Sequence, residues 1–199
     1  MRFWDPTVMT DVEDGEPEPC FLDEVWTLYF HDPRDPSWTI PSYVRLGDVA
    51  SAADFASVKQ ALRGKLPHGM FFLMREHIFP CWDDKFNIDG GCVSIKVPKT
   101  ASVVEGFWDE LCCRTLEETL ELRRERRAGK DDSEKDPPLP PLVNGLSISP
   151  KAFHSIVKIW VSREVREPRR ALDIPPGFCG DVVYKSNLDI IRMCQSRAA

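Results

Sequence analysis

No two of the seven cysteines form a C-x-x-C pair and their number is odd, which argues against a disulfide framework and against a structural zinc site. The chain has no long apolar run: the longest, "GMFFLM", is far short of the roughly 20 residues that cross a bilayer. It has no excess of positive charge, because 26 Lys and Arg stand against 32 Asp and Glu, a net charge of −6. The global field that nonspecific duplex binding relies on is therefore missing, and any nucleic acid must be held locally. The opening "MRFWDPTVMTDVEDGEPEPC" has no apolar signal-peptide core. These absences predict a soluble protein of a reducing compartment, the cytoplasm with the nucleus as a second location, and no membrane contact.

What is present suits one α+β domain. Residues 1–20 read as a disordered acidic arm and 21–199 as a single domain. "EVWTLYF", "SYVRL", "GMFFLMRE", "GCVSIKV", "GLSIS", "HSIVKIWVS" and "GDVVYKS" are rich in β-branched and aromatic residues and read as strands. Ser51 with Asp54 predicts the capped start of a helix that stops at Gly64, and Ser102 with Glu105 predicts a second. That second helix is expected to run on into "LEETLELRRERRAG", and the segment around 116–141, charged and then proline-rich, to be a mobile insertion or a partner-docking arm. Pro168 is expected to interrupt a short helical stretch, and another short helix to follow at the C-terminus. A curved antiparallel sheet with helices on one face and the other face open accounts for this order.

Six tryptophans are many for 199 residues. Trp26 and Trp108 lie on regular apolar faces and belong to the core. Trp38 lies in the loop "HDPRDPSWTIPS", Trp82 lies in "FPCWDDKF", and Trp160 shares the more polar face of its strand with Lys158. Such indoles either anchor loops to the core or stack on a flat ligand. A cationic ring between two of them gains about 0.5–2 kcal/mol from the ring quadrupoles. A carboxylate beside one indole then accepts two in-plane hydrogen bonds from an N–H and an amino group, a pair that guanine offers and adenine does not.

These residues resemble the eukaryotic translation initiation factor 4E family, which binds the 7-methylguanosine cap of mRNA. The likeness spans Leu22 to about Tyr184, through "VWTLYFHDPRDPSW", "CWDDKFNIDGG" and the segment from Gly145 to "KIW". It implies a cap slot on the concave face in which Trp38 and Trp82 sandwich the methylated base. Asp83 stands for the usual glutamate at the guanine edge, and Trp160 meets the N7-methyl group. The shorter Asp83 implies weaker affinity or a preference for a cap with extra methyl groups. Lys151 falls where the family holds the phosphate chain with an arginine. Other basic positions of the family fall on Phe153, Ile156 and Cys92, leaving Lys158, Lys185, Arg192 or Arg197 to compensate.

The resemblance also implies a partner: a scaffold initiation factor or binding-protein helix on the convex face. The positions that would meet it are Phe21, Leu22, Ala52, Ala56 and Asp109, where the family's aromatic anchor is lost. Losses and insertions of this kind are similar to those of divergent protist members. A monomer is expected, with no cofactor, no metal and no catalytic residue: His31, His68, His77 and His154 sit in no recognisable nucleophile context, and the glutamates of "LEETLELRRERRAG" alternate with arginines in the manner of a solvated helix. An adaptor that keeps the fold and works through protein partners is the alternative. A general single-strand RNA binder would need a basic groove across the molecule.

Overall fold

The computed structural model describes residues 20–122, 140–176 and 181–198. The acidic arm before residue 20, with Trp4, lies outside them. The strands are β1 (Phe21–His31), β2 (Tyr43–Ser51), β3 (Met70–Arg75), β4 (Gly91–Pro98), β5 (Val143–Pro150), β6 (His154–Val161) and β7 (Val182–Ser186). All neighbours pair antiparallel in the order β2-β1-β3-β5-β6-β4-β7, one curved seven-stranded sheet.

Side chains alternate across the pleat, so register assigns each to a face. One face carries Trp26, Leu28, Leu73, Val93, Ile95, Leu146, Ile148, Val157 and Ile159. Helices α1 (Ala52–Leu62) and α2 (Ala101–Leu116) close it with Leu62, Val104, Phe107, Trp108 and Leu111. Trp26 and Trp108 are core residues, as their spacing predicts. Each such side chain gains about 1.5–3 kcal/mol on burial. The opposite face holds a second cluster of Met70, Phe72, Met74, Ile78, Cys92 and Trp160. β3 serves both clusters, and all six of its residues are buried.

Helix ends follow the sequence at one site and depart from it at others. Ser51 caps α1: its Oγ accepts from the Asp54 amide at 3.1 Å and donates to the Asp54 carboxylate at 2.8 Å. Gly64, at φ +73°, adopts the left-handed conformation that ends the turn. At α2, however, the N-cap is Thr100, and no side chain caps the helix. Ser102 sits inside the first turn, and Glu105 accepts instead from the Gly64 amide at 2.6 Å, tying α2 to the end of α1. Nor does α2 run on: it stops at Leu116, and Glu118 turns the chain at φ +56°.

The cause is Arg75, 3% exposed, since a buried guanidinium must be paired. It takes Glu118 at 2.8 and 2.9 Å, Glu24, and the Val143 carbonyl at 2.9 Å, and lies 4.7 Å over the Trp26 ring. Beyond the turn Leu120 is buried, while Glu121 pairs with Arg163 at 2.8 Å and accepts from the Leu142 amide at 2.9 Å. Residues 116–122 of the expected insertion are thus tied to the body of the domain through Leu116, Glu118, Leu120 and Glu121, and 123–139 lie outside the described residues. Pro168 opens α3 (Pro168–Ala171) rather than interrupting it, because a first-turn proline forfeits only an N–H that has no helical partner. α4 (Asn187–Ala198) spans 12 residues.

Candidate functional site

Register gathers the candidate residues on the face away from α1 and α2. Trp160 pairs with Cys92, and Cys92 with Lys185; one step along, Lys158 pairs with Ser94 and Ser147. Trp160 does share its face with Lys158, but it is 2% exposed rather than open to water. Its Nε1 donates to Ser147 Oγ at 3.0 Å, and Ile78 and Trp82, from the segment linking β3 to β4, join its cluster.

That linking segment, residues 76–90, is held by three buried or nearly buried amides. Asn87 Nδ2 donates to the carbonyls of Phe79 at 3.0 Å and Cys81 at 2.9 Å. Asn144 Nδ2 donates to the Phe86 carbonyl at 2.7 Å and Asn87 Oδ1 at 3.0 Å. Asn187 Nδ2 donates to the Asn87 carbonyl at 2.7 Å. Asp84 accepts from the Phe86 amide at 2.8 Å. Gly90 closes the segment where a Cβ would sit 1.8 Å from the Val161 carbonyl oxygen, so no larger residue fits. The outcome is a rigid loop that displays Trp82 half-buried and Asp83 exposed. The Lys158 Nζ lies 5.9 Å from the Trp82 ring centroid. Burial, then the hydrogen bond with Asp83, pushes the Cys81 thiol up to about 12. Burial also raises the Tyr43 hydroxyl, with the charges of Cys81 and Asp83 adding to it.

The Trp38 loop is built differently. Asp32 accepts from the Arg34 amide at 2.9 Å and from its guanidinium at 3.0 and 2.7 Å, which lowers the carboxyl to about 2. Asp35 accepts from the Ser37 amide at 2.8 Å, and the Ser37 carbonyl takes His31 Nε2 at 2.8 Å. Trp38 is 56% exposed, and its ring lies flat on the buried His31 imidazole, 4.2 Å between centroids and 8° between planes. Tyr43 meets Trp38 at 6.2 Å, His31 at 5.1 Å and Phe79 at 5.0 Å. It therefore joins the Trp38 loop to the loop of Trp82 and Asp83. The ring stacked on Trp38 here is His31, and Trp82 rests on the Trp160 cluster.

Of the predicted phosphate residues, Lys158 and Lys185 share this face. Lys151 is exposed at the β5–β6 turn, where its carbonyl accepts Lys99 Nζ at 2.9 Å. Arg192 lies on α4, 3.5 Å from Asp189, and the Arg197 side chain lies outside the described residues. Lys96, paired with Ile156 and exposed, joins the face although sequence reasoning passed over it. Its alternation with Cys92 and Ser94 was a usable signal. His31, Tyr43 and the three asparagines were also missed, and only register and loop packing reveal them. Among the described residues, no His, Cys, Asp and Glu side chains group in a way that could hold a metal ion.

The partner positions also converge. Phe21, 71% exposed, pairs with Ser51 at the head of α1, near Ala52 and Ala56, which are both exposed. Leu22 packs against the core, and Asp109 on α2 pairs with Lys59 on α1 at 2.9 Å.

The family model for Eukaryotic initiation factor 4E matches residues 21–176. The chain belongs to the eukaryotic initiation factor 4E family. Solved factor 4E structures share its architecture. Factor 4E-3 of C. elegans, in complex with the 4E-binding protein Mextli and a cap analog, gives a TM-score of 0.65 at 17% identity, covering 87% of this chain and 96% of that one. A schistosome factor 4E, complexed with m7GpppA and 4E-BP, gives 0.58 at 21% identity, covering 75% of each chain. Factor 4E-3 of Ascaris suum with m7G cap gives 0.57 at 17% identity, covering 74% of this chain and 76% of that one. At such identities the likeness establishes the factor 4E fold, which the register and helix placement above carry residue by residue.

Proposed function

We propose that this factor 4E chain binds the 7-methylguanosine cap of mRNA and acts in translation initiation or its regulation. The observation that carries this is the meeting, through Tyr43, of an exposed indole at Trp38 with the rigid loop that presents Trp82 and the exposed Asp83 carboxylate. One face of Trp38 is taken by His31, so the methylated base enters on the other and is closed from the far side by Trp82. The positive ring gains from both quadrupoles, and Asp83 accepts from the N1–H and the 2-amino group. Trp160, its N–H committed to Ser147, supplies the floor under Trp82 and reaches the N7-methyl with its edge at most. Lys158, Lys185, Lys151 and Lys96 hold the phosphates.

Support comes from the family and from solved relatives that carry m7G cap, m7GpppA or a cap analog. Relatives bound to 4E-binding proteins support a helix docking over Phe21, Ala52, Ala56 and Asp109 on the convex face. Tryptophan fluorescence tests the cap site. 7-Methyl-GTP is expected to quench strongly and GTP far less, and Trp38→Ala, Trp82→Ala or Asp83→Asn each to lower affinity by about tenfold or more. Equal quenching by the two nucleotides overturns the proposal.

A further inference from the structure

Phe153 stands at the β5–β6 turn with 91% of its surface exposed, more than any other large apolar side chain described. A single exposed apolar residue needs no explanation by itself. Its surroundings are what single it out. In a chain of net charge −6, this end of the sheet carries Lys151 in the same turn, Lys99 hydrogen-bonded to the Lys151 carbonyl, and Lys96 and Lys158 along the paired strands. Among the described residues none of these four lysines has a carboxylate partner, whereas Arg45, Arg75, Arg114 and Arg163 are each held by Asp or Glu. The turn itself is fixed, the Lys151 amide donating to the His154 carbonyl at 2.8 Å. An aromatic ring on a turn, with ammonium groups that no carboxylate neutralises beside it and along the strands that lead to it, is the pattern by which proteins take a nucleobase from a single strand.

We propose that Phe153 is a stacking platform for the first base that follows the cap on a single-stranded RNA, resting on the cap-binding function proposed above. The path is set by β6. Lys158 lies beside Trp82, where the cap base enters, and about 13 Å of strand separates it from His154, next to Phe153. A triphosphate bridge and one ribose cover that span while Lys158, Lys96 and Lys151 follow the phosphates. Stacking then supplies contact that the partly missing phosphate clamp does not, and it makes capped RNA, rather than the free cap nucleotide, the preferred ligand. It accepts any base, because every base offers a π-face.

The test titrates wild type, Phe153→Ala and Phe153→Trp with 7-methyl-GTP and with a capped trinucleotide. Wild type is expected to hold the trinucleotide about 5- to 10-fold tighter, Phe153→Ala to lose that advantage with 7-methyl-GTP affinity unchanged, and Phe153→Trp to keep it. Equal affinity of wild type for both ligands overturns the proposal. So does an equal loss on both in Phe153→Ala, or an advantage that survives the substitution. If Phe153→Ala instead impairs capture of a bound protein with RNA affinity intact, the ring is a protein contact and the proposal falls. Failure of the cap site itself reads differently: wild type then does not distinguish 7-methyl-GTP from GTP.

Discussion

At the scale of single residues, the chain spends amides where its loop needs orientation. Asn87 satisfies two carbonyls of the Trp82 loop, accepts from Asn144, and has its own carbonyl taken by Asn187. Asn87→Ala leaves the Phe79 and Cys81 carbonyls without their donor and takes one acceptor from Asn144, while the Asn187 bond to the main-chain carbonyl of residue 87 is kept. The substitution is expected to lower stability by about 1–3 kcal/mol, read as the urea midpoint. Its effect on 7-methyl-GTP binding should exceed that of an equally destabilising change in the helix-covered core, because the amide also sets where Trp82 and Asp83 point. The cysteines give a second outcome. Burial raises Cys81 and Cys92 to about 12, whereas Cys20 and Cys194 are exposed. Iodoacetamide at pH 8 is therefore expected to label Cys20 and Cys194 first and to spare Cys81 and Cys92 until the fold opens.

At the scale of elements, a cap and a close approach contrast in cost. Ser51→Ala removes the α1 cap and is expected to cost about 1 kcal/mol in the urea midpoint. Gly90→Ala forces a methyl against the backbone of Val161, which cannot swing aside as a side chain does, so the loop must move. About 3 kcal/mol of stability and most of the 7-methyl-GTP quenching are expected to go together. α2 shows why a local pattern misjudged an element. "LEETLEL" has good helix formers, yet the buried Arg75 draws Glu118 to itself and Leu120 folds into the core. Tertiary pairing outweighs propensity, which sums to tenths of a kcal/mol per residue.

At the scale of the molecule, the raised thiols act on stability with a definite sign. Above the ordinary thiol value of 9.0, an unfolded chain gives up protons that Cys81 and Cys92 retain to about 12. The folded state then binds more protons, so stability is complete below about pH 9 and falls as pH rises through the window to 12. The raised Tyr29, Tyr43 and Tyr184 hydroxyls act in the same direction. Melting temperature is expected to drop between pH 9 and 11, and less steeply in Cys92→Ala.

Periodicity by itself determined much of this protein. The alternation in "GCVSIKV" and "HSIVKIW" sorts Val93, Ile95, Val157 and Ile159 onto one face and Cys92, Lys158 and Trp160 onto the other, because a strand's pleat is a property of neighbouring residues. The Ser51 cap was legible for the same local reason. Which face water reaches was not. Trp160 is buried because residues 76–90, pinned by their own Asn87 and by Asn144 and Asn187 from two distant parts of the chain, bring Ile78 and Trp82 onto it. Trp38 finds His31 only because the Asp32–Ser37 turn bends back on the strand. Pairing choices of this kind depend on sums of long-range contacts, and only the tertiary structure decides them.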